Sequence, residues 1–278
     1  MRRSRSWSVP LVVSLMLVGC VAASPPSRLN RYVETAETGE EGVSRLPASR
    51  PVPAALVILS DRSDPESAPG LPEDAQTRVA ETLSAQINRG YPIVIERVVT
   101  LGDVPEAWTA PDWRQLARQQ GASHLLVAVL SSTEQEFPVS LFLGWTTHRQ
   151  PGLRRDNWSL AEAALIDGRT GRRLLQAEGR AMATLDRPAA PGISQWYPVI
   201  YLRPQDPERR IWPPTYEGAA LTLRVVAMEQ AAMRLAGNLQ RAWIEQRERE
   251  SLHGGRRLRD DGQLYVFLFE GDSVNSVE

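Results

Sequence analysis

The spacing of apolar residues changes period repeatedly along the chain, and each change marks an element. Residues 54–59 are uninterrupted apolar (Ala-Ala-Leu-Val-Ile-Leu), the pattern of a strand buried on both faces. In 71–90 the apolar positions Ala75, Val79, Leu83 and Ile87 recur every four residues behind Pro72 and Glu73, and Gly90 follows. That arrangement predicts an amphipathic helix with one face inward. Residues 91–101 are β-branched and strand-like, 111–120 form a second helix closed by Gly121, and 123–132 supply a third strand. Strand, helix, strand, helix, strand with short joins predicts right-handed crossovers and neighbouring parallel strands.

The next segment reverses instead of crossing over. Two strand-like stretches flank Asp167, Gly168, Arg169, Thr170 and Gly171, turn residues placed where an antiparallel hairpin needs positive φ. The glycines do not make a phosphate loop, because no Gly-Lys-Ser/Thr follows and no helix opens behind them. From Glu217 to about Glu250, Leu221, Val225, Met228, Ala232, Leu235, Leu239 and Ala242 alternate spacings of four and three, a long helix with a coiled-coil seam. Its charged part beyond Leu239 is expected to project into solvent or to pair with another copy. Residues 253–262 then break the helix, and 263–271 form one more strand candidate, expected to be paired or buried. The fold class is α/β: a two-layer or three-layer sandwich with a mixed sheet of about five strands, helices packed on it and a long carboxy-terminal helix. The domain spans 54–252, with insertions at 134–157 and 187–216, and a tail follows at 253–278.

Ahead of the domain the pattern is different in kind. Arg2, Arg3 and Arg5 precede an apolar stretch, Leu11 to Val18, broken only by Ser14. Positive flank, short apolar core and small residues are the layout of a secretory signal, and the run is too short to span a bilayer. The one cysteine of the chain, Cys20, stands directly behind it. Leu17, Val18, Gly19 and Cys20 resemble the lipobox of bacterial lipoproteins, which implies removal of 1–19 and attachment of acyl chains at Cys20. More than one chain holds a protein on a membrane stably. Val21 follows, where an Asp would imply retention in the inner membrane, so the resemblance implies the outer membrane. A single thiol also excludes an intramolecular disulfide. Residues 20–53, with Pro25, Pro26, the acidic patch Glu34 to Glu41, Pro47, Pro51 and Pro53, read as a flexible tether with a root-mean-square span of roughly 30 Å.

Composition narrows the partners. Loss of the signal with its three arginines leaves 29 basic against 33 acidic residues, a formal charge of −4, so nothing recruits nucleic acid electrostatically. Every basic residue is arginine. His124, His148 and His253 lack metal-ligand spacing, so no metal or other cofactor is expected. No serine-hydrolase, zinc-protease or kinase motif is present, and the chain is expected not to be an enzyme.

The order of elements, with the phrases "QQGASHLLVAVL" (119–130) and "AEAALIDGRTGRRLL" (161–175), resembles the periplasmic α/β domain found in the amino-terminal part of TolB, in the curli-secretion lipoprotein and in the lipoprotein activator of penicillin-binding protein. The resemblance covers roughly 54–186 and a helix beyond. It implies an envelope function among adaptors, activators and a pore, and it brings no catalytic residues. In the curli-secretion relative, insertions at comparable places become hairpins of a membrane barrel. Seven prolines in 187–216 and the charges Arg154, Arg155 and Asp156 oppose that use here. Trp145, Arg154, Arg155, Trp196, Tyr197, Tyr201, Arg203, Arg209, Arg210 and Trp212 have instead the composition of a protein-binding hot spot; alternatively, the aromatics fold back and cap the sheet. The function expected is that of an outer-membrane-anchored lipoprotein, its domain in the periplasm, binding an envelope protein partner as adaptor or regulator. The alternatives are a subunit of a homo-oligomeric secretion or export assembly and, third, a periplasmic hydrolase, which requires a pocket with convergent polar groups.

Overall fold

The computed structural model describes residues 24–33, 46–47, 51–90, 92–101, 108–142, 149–189, 196–198 and 218–260. After a short helix α1 (Leu29–Tyr32) come β1 (Val52–Ser60), α2 (Glu73–Arg89), β2 (Ile93–Thr100) and α3 (Ala110–Gln120). Then follow β3 (His124–Phe142), β4 (Arg149–Asp167), β5 (Arg173–Pro188), a two-residue β6 (Tyr197–Pro198) and α4 (Ala219–Asp260). One sheet runs in the order β2-β1-β3-β4-β5-β6. β1 lies parallel to β2 and β3, and the β3, β4, β5 and β6 pairs are antiparallel. The mixed sheet and the long carboxy-terminal helix are those expected from the apolar pattern.

Both faces of the sheet are covered, which makes the architecture three-layered. On one face Leu56, Ile58, Leu126 and Leu165 pack against Val79 and Leu83 of α2 and Met228, Leu235 and Leu239 of α4. On the other, Val57, Leu59, Val127 and Ile166 meet Trp113 of α3 and Leu29, Tyr32 and Val33 of the amino-terminal segment. Alternate residues of one strand therefore feed two cores, and this is why β1 reads as continuous apolar. The turn between β4 and β5 is built as its residues suggest. Gly171 takes φ of 72°, and the Asp167 carboxylate accepts from the amides of Arg169 and Thr170 at 2.7 and 3.3 Å.

Four expectations need correction. Residues 24–33 are not a free tether but lie docked on the domain, with Leu29, Tyr32 and Val33 buried. The insertion 134–157 is not a loop: an unbroken register from His124↔Asp167 to Phe142↔Arg149 makes 134–142 and 149–157 the outer halves of β3 and β4. Pro138 and Pro151 both fall at the margins of the ladder: β1 leaves β3 at Leu130, and Pro151 faces Ala189 just past the end of β5, where the Ala189 N–H donates to the Pro151 carbonyl at 2.9 Å. A missing N–H is tolerated there. α4 continues through Gly254 and Gly255 to Asp260 instead of breaking at 253. Finally, its inward face does not end at Leu239, because Trp243 is buried beside it. The strand candidate 263–271 lies outside the described residues.

α4 crosses β5 at a point where the two backbones touch. A Cβ on Gly179 would come within 2.2 Å of the Ala231 carbonyl oxygen and 2.3 Å of the Leu235 nitrogen, so helix and strand cannot both stay in place around an alanine. Gly179→Ala is expected to cost about 3 kcal/mol, the upper range for overpacking. Gly237→Ala, in the same helix with open space around it, is expected to stabilise by about 1 kcal/mol. Urea denaturation of the two variants beside the parent checks both signs.

Candidate functional site

The strand β4 carries one acid in its apolar stretch, Glu162, and it is only 3% exposed. A carboxylate at the centre of a sheet must be matched by donors, and here the amino-terminal segment supplies them. Ser27 Oγ donates to Oε1, while the amides of Arg28 and Leu29 donate to Oε2 at 2.7 and 3.2 Å. On β5, Arg180 Nη1 donates to Ser24 Oγ at 2.7 Å and to the Pro25 carbonyl at 2.8 Å. Further along, Arg28 pairs with Asp64, Arg173 donates to Asn30 Oδ1 at 2.9 Å, and Trp113 Nε1 donates to the Tyr32 carbonyl at 3.2 Å. Residues 24–33 thus form a strap that crosses from β5 over β4 to α3, gripped by side chains of three elements. Its signal in the sequence was faint: Leu29, Tyr32 and Val33 are a short apolar triplet among prolines and acids, and Glu162 is the lone charge in the apolar stretch 160–166 of β4.

The far end of the sheet holds the residues picked out for partner binding. Arg155 and Arg187 stack on the Trp196 ring, 5.0 and 4.9 Å from its centroid. Arg155 also donates to Glu136 at 2.5 Å, and Glu134 lies 3.5 Å from both Arg155 and Arg224. Burial pushes the Glu134 carboxyl up against the opposing pull of those two arginines. Arg154 is brought to the opposite face, where it makes a two-pronged pair with Asp186 at 2.8 and 2.9 Å. The structure therefore joins Arg155 to Trp196 and separates both from Arg154. Tyr197 lies in β6, paired with Asp186. Trp145, Tyr201, Arg203, Arg209, Arg210, Trp212 and Cys20 fall outside the described residues.

A third feature is an open concavity of about 630 Å³ at the carboxy-terminal end of α3, lined by Arg114, Arg118, Ser123, His124, Asp167 and Arg169 among others. Ser123 Oγ lies 3.0 Å from His124 Nδ1 and donates to the Pro53 carbonyl at 3.1 Å. Asp167 is engaged in the β-turn. The hydroxyl proton is thereby held by the backbone and the carboxylate by the turn, so the three side chains serve the junction of β1, β3 and β4. Burial holds His124 below the ordinary histidine pKa, with the Asp167 charge and the hydrogen bond to the Pro53 backbone acting against it. Among the described residues no group of three or more His, Cys, Asp or Glu is placed to hold a metal ion, and no helix is long and apolar enough to cross a membrane.

No family model and no curated protein matches the sequence. Among solved structures the chain is similar to a dodecamer of a PelC variant from Paraburkholderia phytofirmans, at 14% identity over 66% of this chain and 93% of that one, with a TM-score of 0.24. It is similar also to a neuraminyllactose-binding hemagglutinin homolog from Helicobacter pylori, at 9% identity over 72% of this chain and 90% of that one, with a TM-score of 0.35. A lipoprotein from Neisseria meningitidis matches at 13% identity over 47% of this chain and 83% of its own, with a TM-score of 0.25. At these scores the likeness is partial and adds nothing to the topology already described.

The lowered pKa of His124 sets the sign of a pH effect. The unfolded chain takes up a proton there as pH falls through the ordinary histidine range, whereas the folded chain does so only lower, and folding loses stability over that interval. Urea midpoints are expected to drop between about pH 7.5 and 5.5, and His124→Gln is expected to flatten that slope.

Proposed function

We propose that the chain is an outer-membrane-anchored envelope lipoprotein whose domain binds a protein partner, acting as an adaptor or regulator rather than as a catalyst. The observation that carries the anchored reading is positional. Cys20 stands directly behind a short apolar run with arginines before it, and the folded domain takes hold of the chain from Ser24 onward. A cysteine directly behind an export-type signal and four positions ahead of a docked segment is placed for acylation. Attachment of several acyl chains then supplies the hold, at about 0.8 kcal/mol for each buried methylene.

The Arg155, Arg187 and Trp196 stack supports the binding part of the reading. Arginine on tryptophan is the residue chemistry of interface hot spots, and it stands at the β5 end of the sheet beside the short β6, which the aromatic and arginine-rich segment 199–216 follows in sequence. The runner-up is a subunit of an oligomeric secretion or export assembly, and the long β3–β4 hairpin gives it a structural basis. That hairpin carries the Arg155 and Glu136 pair on one face and the Arg154 and Asp186 pair on the other. Charges on both faces are costly against hydrocarbon, which favours a water-facing hairpin.

Cys20→Ser is expected to abolish incorporation of labelled palmitate and to shift the protein from the membrane to the soluble fraction. A parent that takes up no label overturns the anchored reading. Native mass of the parent in detergent separates the two functions: a monomer or dimer with a co-purifying protein that is lost in the double variant Arg155→Ala, Trp196→Ala supports the adaptor. A ring-sized homo-oligomer supports the assembly.

A further inference from the structure

We infer that the mature domain lies flush against the bilayer, with its β5 margin toward the lipid, because only a leash of the three residues 21–23 separates the anchor from the strap. The inference rests on acylation of Cys20 and goes beyond it to the surface that the membrane meets. A tether reaching to Pro53 would let the domain roam over roughly 30 Å. The strap removes nearly all of that freedom. From Ser24 onward the chain is held: Arg180 grips Ser24 and Pro25, Glu162 binds 27–29, and the side chains of Leu29, Tyr32 and Val33 are buried. Four residue steps from Cys20 to Ser24 span at most about 14 Å even when fully extended. The polar layer on each side of a bilayer is itself about 6 Å deep, so little clearance remains.

Where the leash meets the fold decides which side faces down. Ser24 is fixed to Arg180 on β5, and around Arg180 stand Glu178, which pairs with it, and Arg234 and Asn238 of α4, which donate to the backbone carbonyls of Arg180 and Glu178. This is a polar, hydrogen-bonding margin suited to lipid headgroups. β2 lies four strand spacings away at the other edge of the sheet, about 19 Å distant. A domain hung from β5 therefore presents β2, α2 and the opposite side of the sheet to the periplasm.

The test uses the full-length lipoprotein, its acylation confirmed by labelled palmitate, in vesicles of phosphatidylethanolamine and phosphatidylglycerol doped with a lipid carrying a quencher on its headgroup. Acylation consumes the Cys20 thiol, so an introduced cysteine is the one free thiol for a fluorophore. Glu178→Cys, beside the leash, is expected to be quenched several-fold more strongly than Glu96→Cys on β2. Insertion of twenty Gly/Ser residues after Ala23 leaves the strap and the fold untouched while adding a span of roughly 25 Å, and it is expected to bring the two positions close to equal. Equal quenching without the insertion, in protein that has taken up palmitate, overturns the flush orientation. Absence of palmitate, with no vesicle binding, overturns the acylation on which it rests.

Discussion

The Glu162 carboxylate and the three donors that enclose it are the interaction on which the domain's completeness depends. A carboxyl group at 3% exposure in the middle of a sheet is costly when its oxygens lack donors, so the strand β4 is compatible with burial only while residues 27–29 lie over it. The same contact seats Leu29, Tyr32 and Val33 against Trp113, Val57 and Val127. One hydrogen-bonded cluster therefore both neutralises a buried acid and closes the second core. Removing the strap would expose that face and strand the charge at the same time, which makes 24–33 part of the fold and not an accessory to it.

Much of the core was legible from periodicity. The continuous apolar run of β1, the four-residue spacing in α2 and the Asp167 to Gly171 turn translate directly into what forms, because each is decided by neighbours within a few residues. What escaped was decided at long range. The outer halves of β3 and β4 contain Pro138 and Pro151, whose local signature is that of a loop; only their place at the margins of the ladder makes them acceptable as strand. The strap was hidden for the same reason, since proline and acid content describe its neighbours in sequence and not Glu162 and Arg180, more than 130 residues away. Of the residues singled out for binding, Arg155 and Trp196 meet, and Arg154 turns to the other face because alternate residues of a strand point opposite ways.

The electrostatics are consistent with a domain that keeps its charges paired. Arg154 with Asp186, Arg155 with Glu136 and Arg180 with Glu178 place cation and anion together on β4, β5 and the end of β3. In a chain whose cations are all arginine, this planar pairing fixes strand register as well as charge.

The strap also imposes an order of events on maturation. Its receptors, Glu162 and Arg180, follow it by 133 to 156 residues, and contacts of such separation form late because long loops must close first. A chain synthesised amino terminus first presents residues 24–33 long before β4 and β5 exist to receive them. Residues 24–33 thus meet their partners only when the sheet is assembled. Folding in this protein acts as a winch, drawing one of the first segments of the chain onto receptors that are completed last.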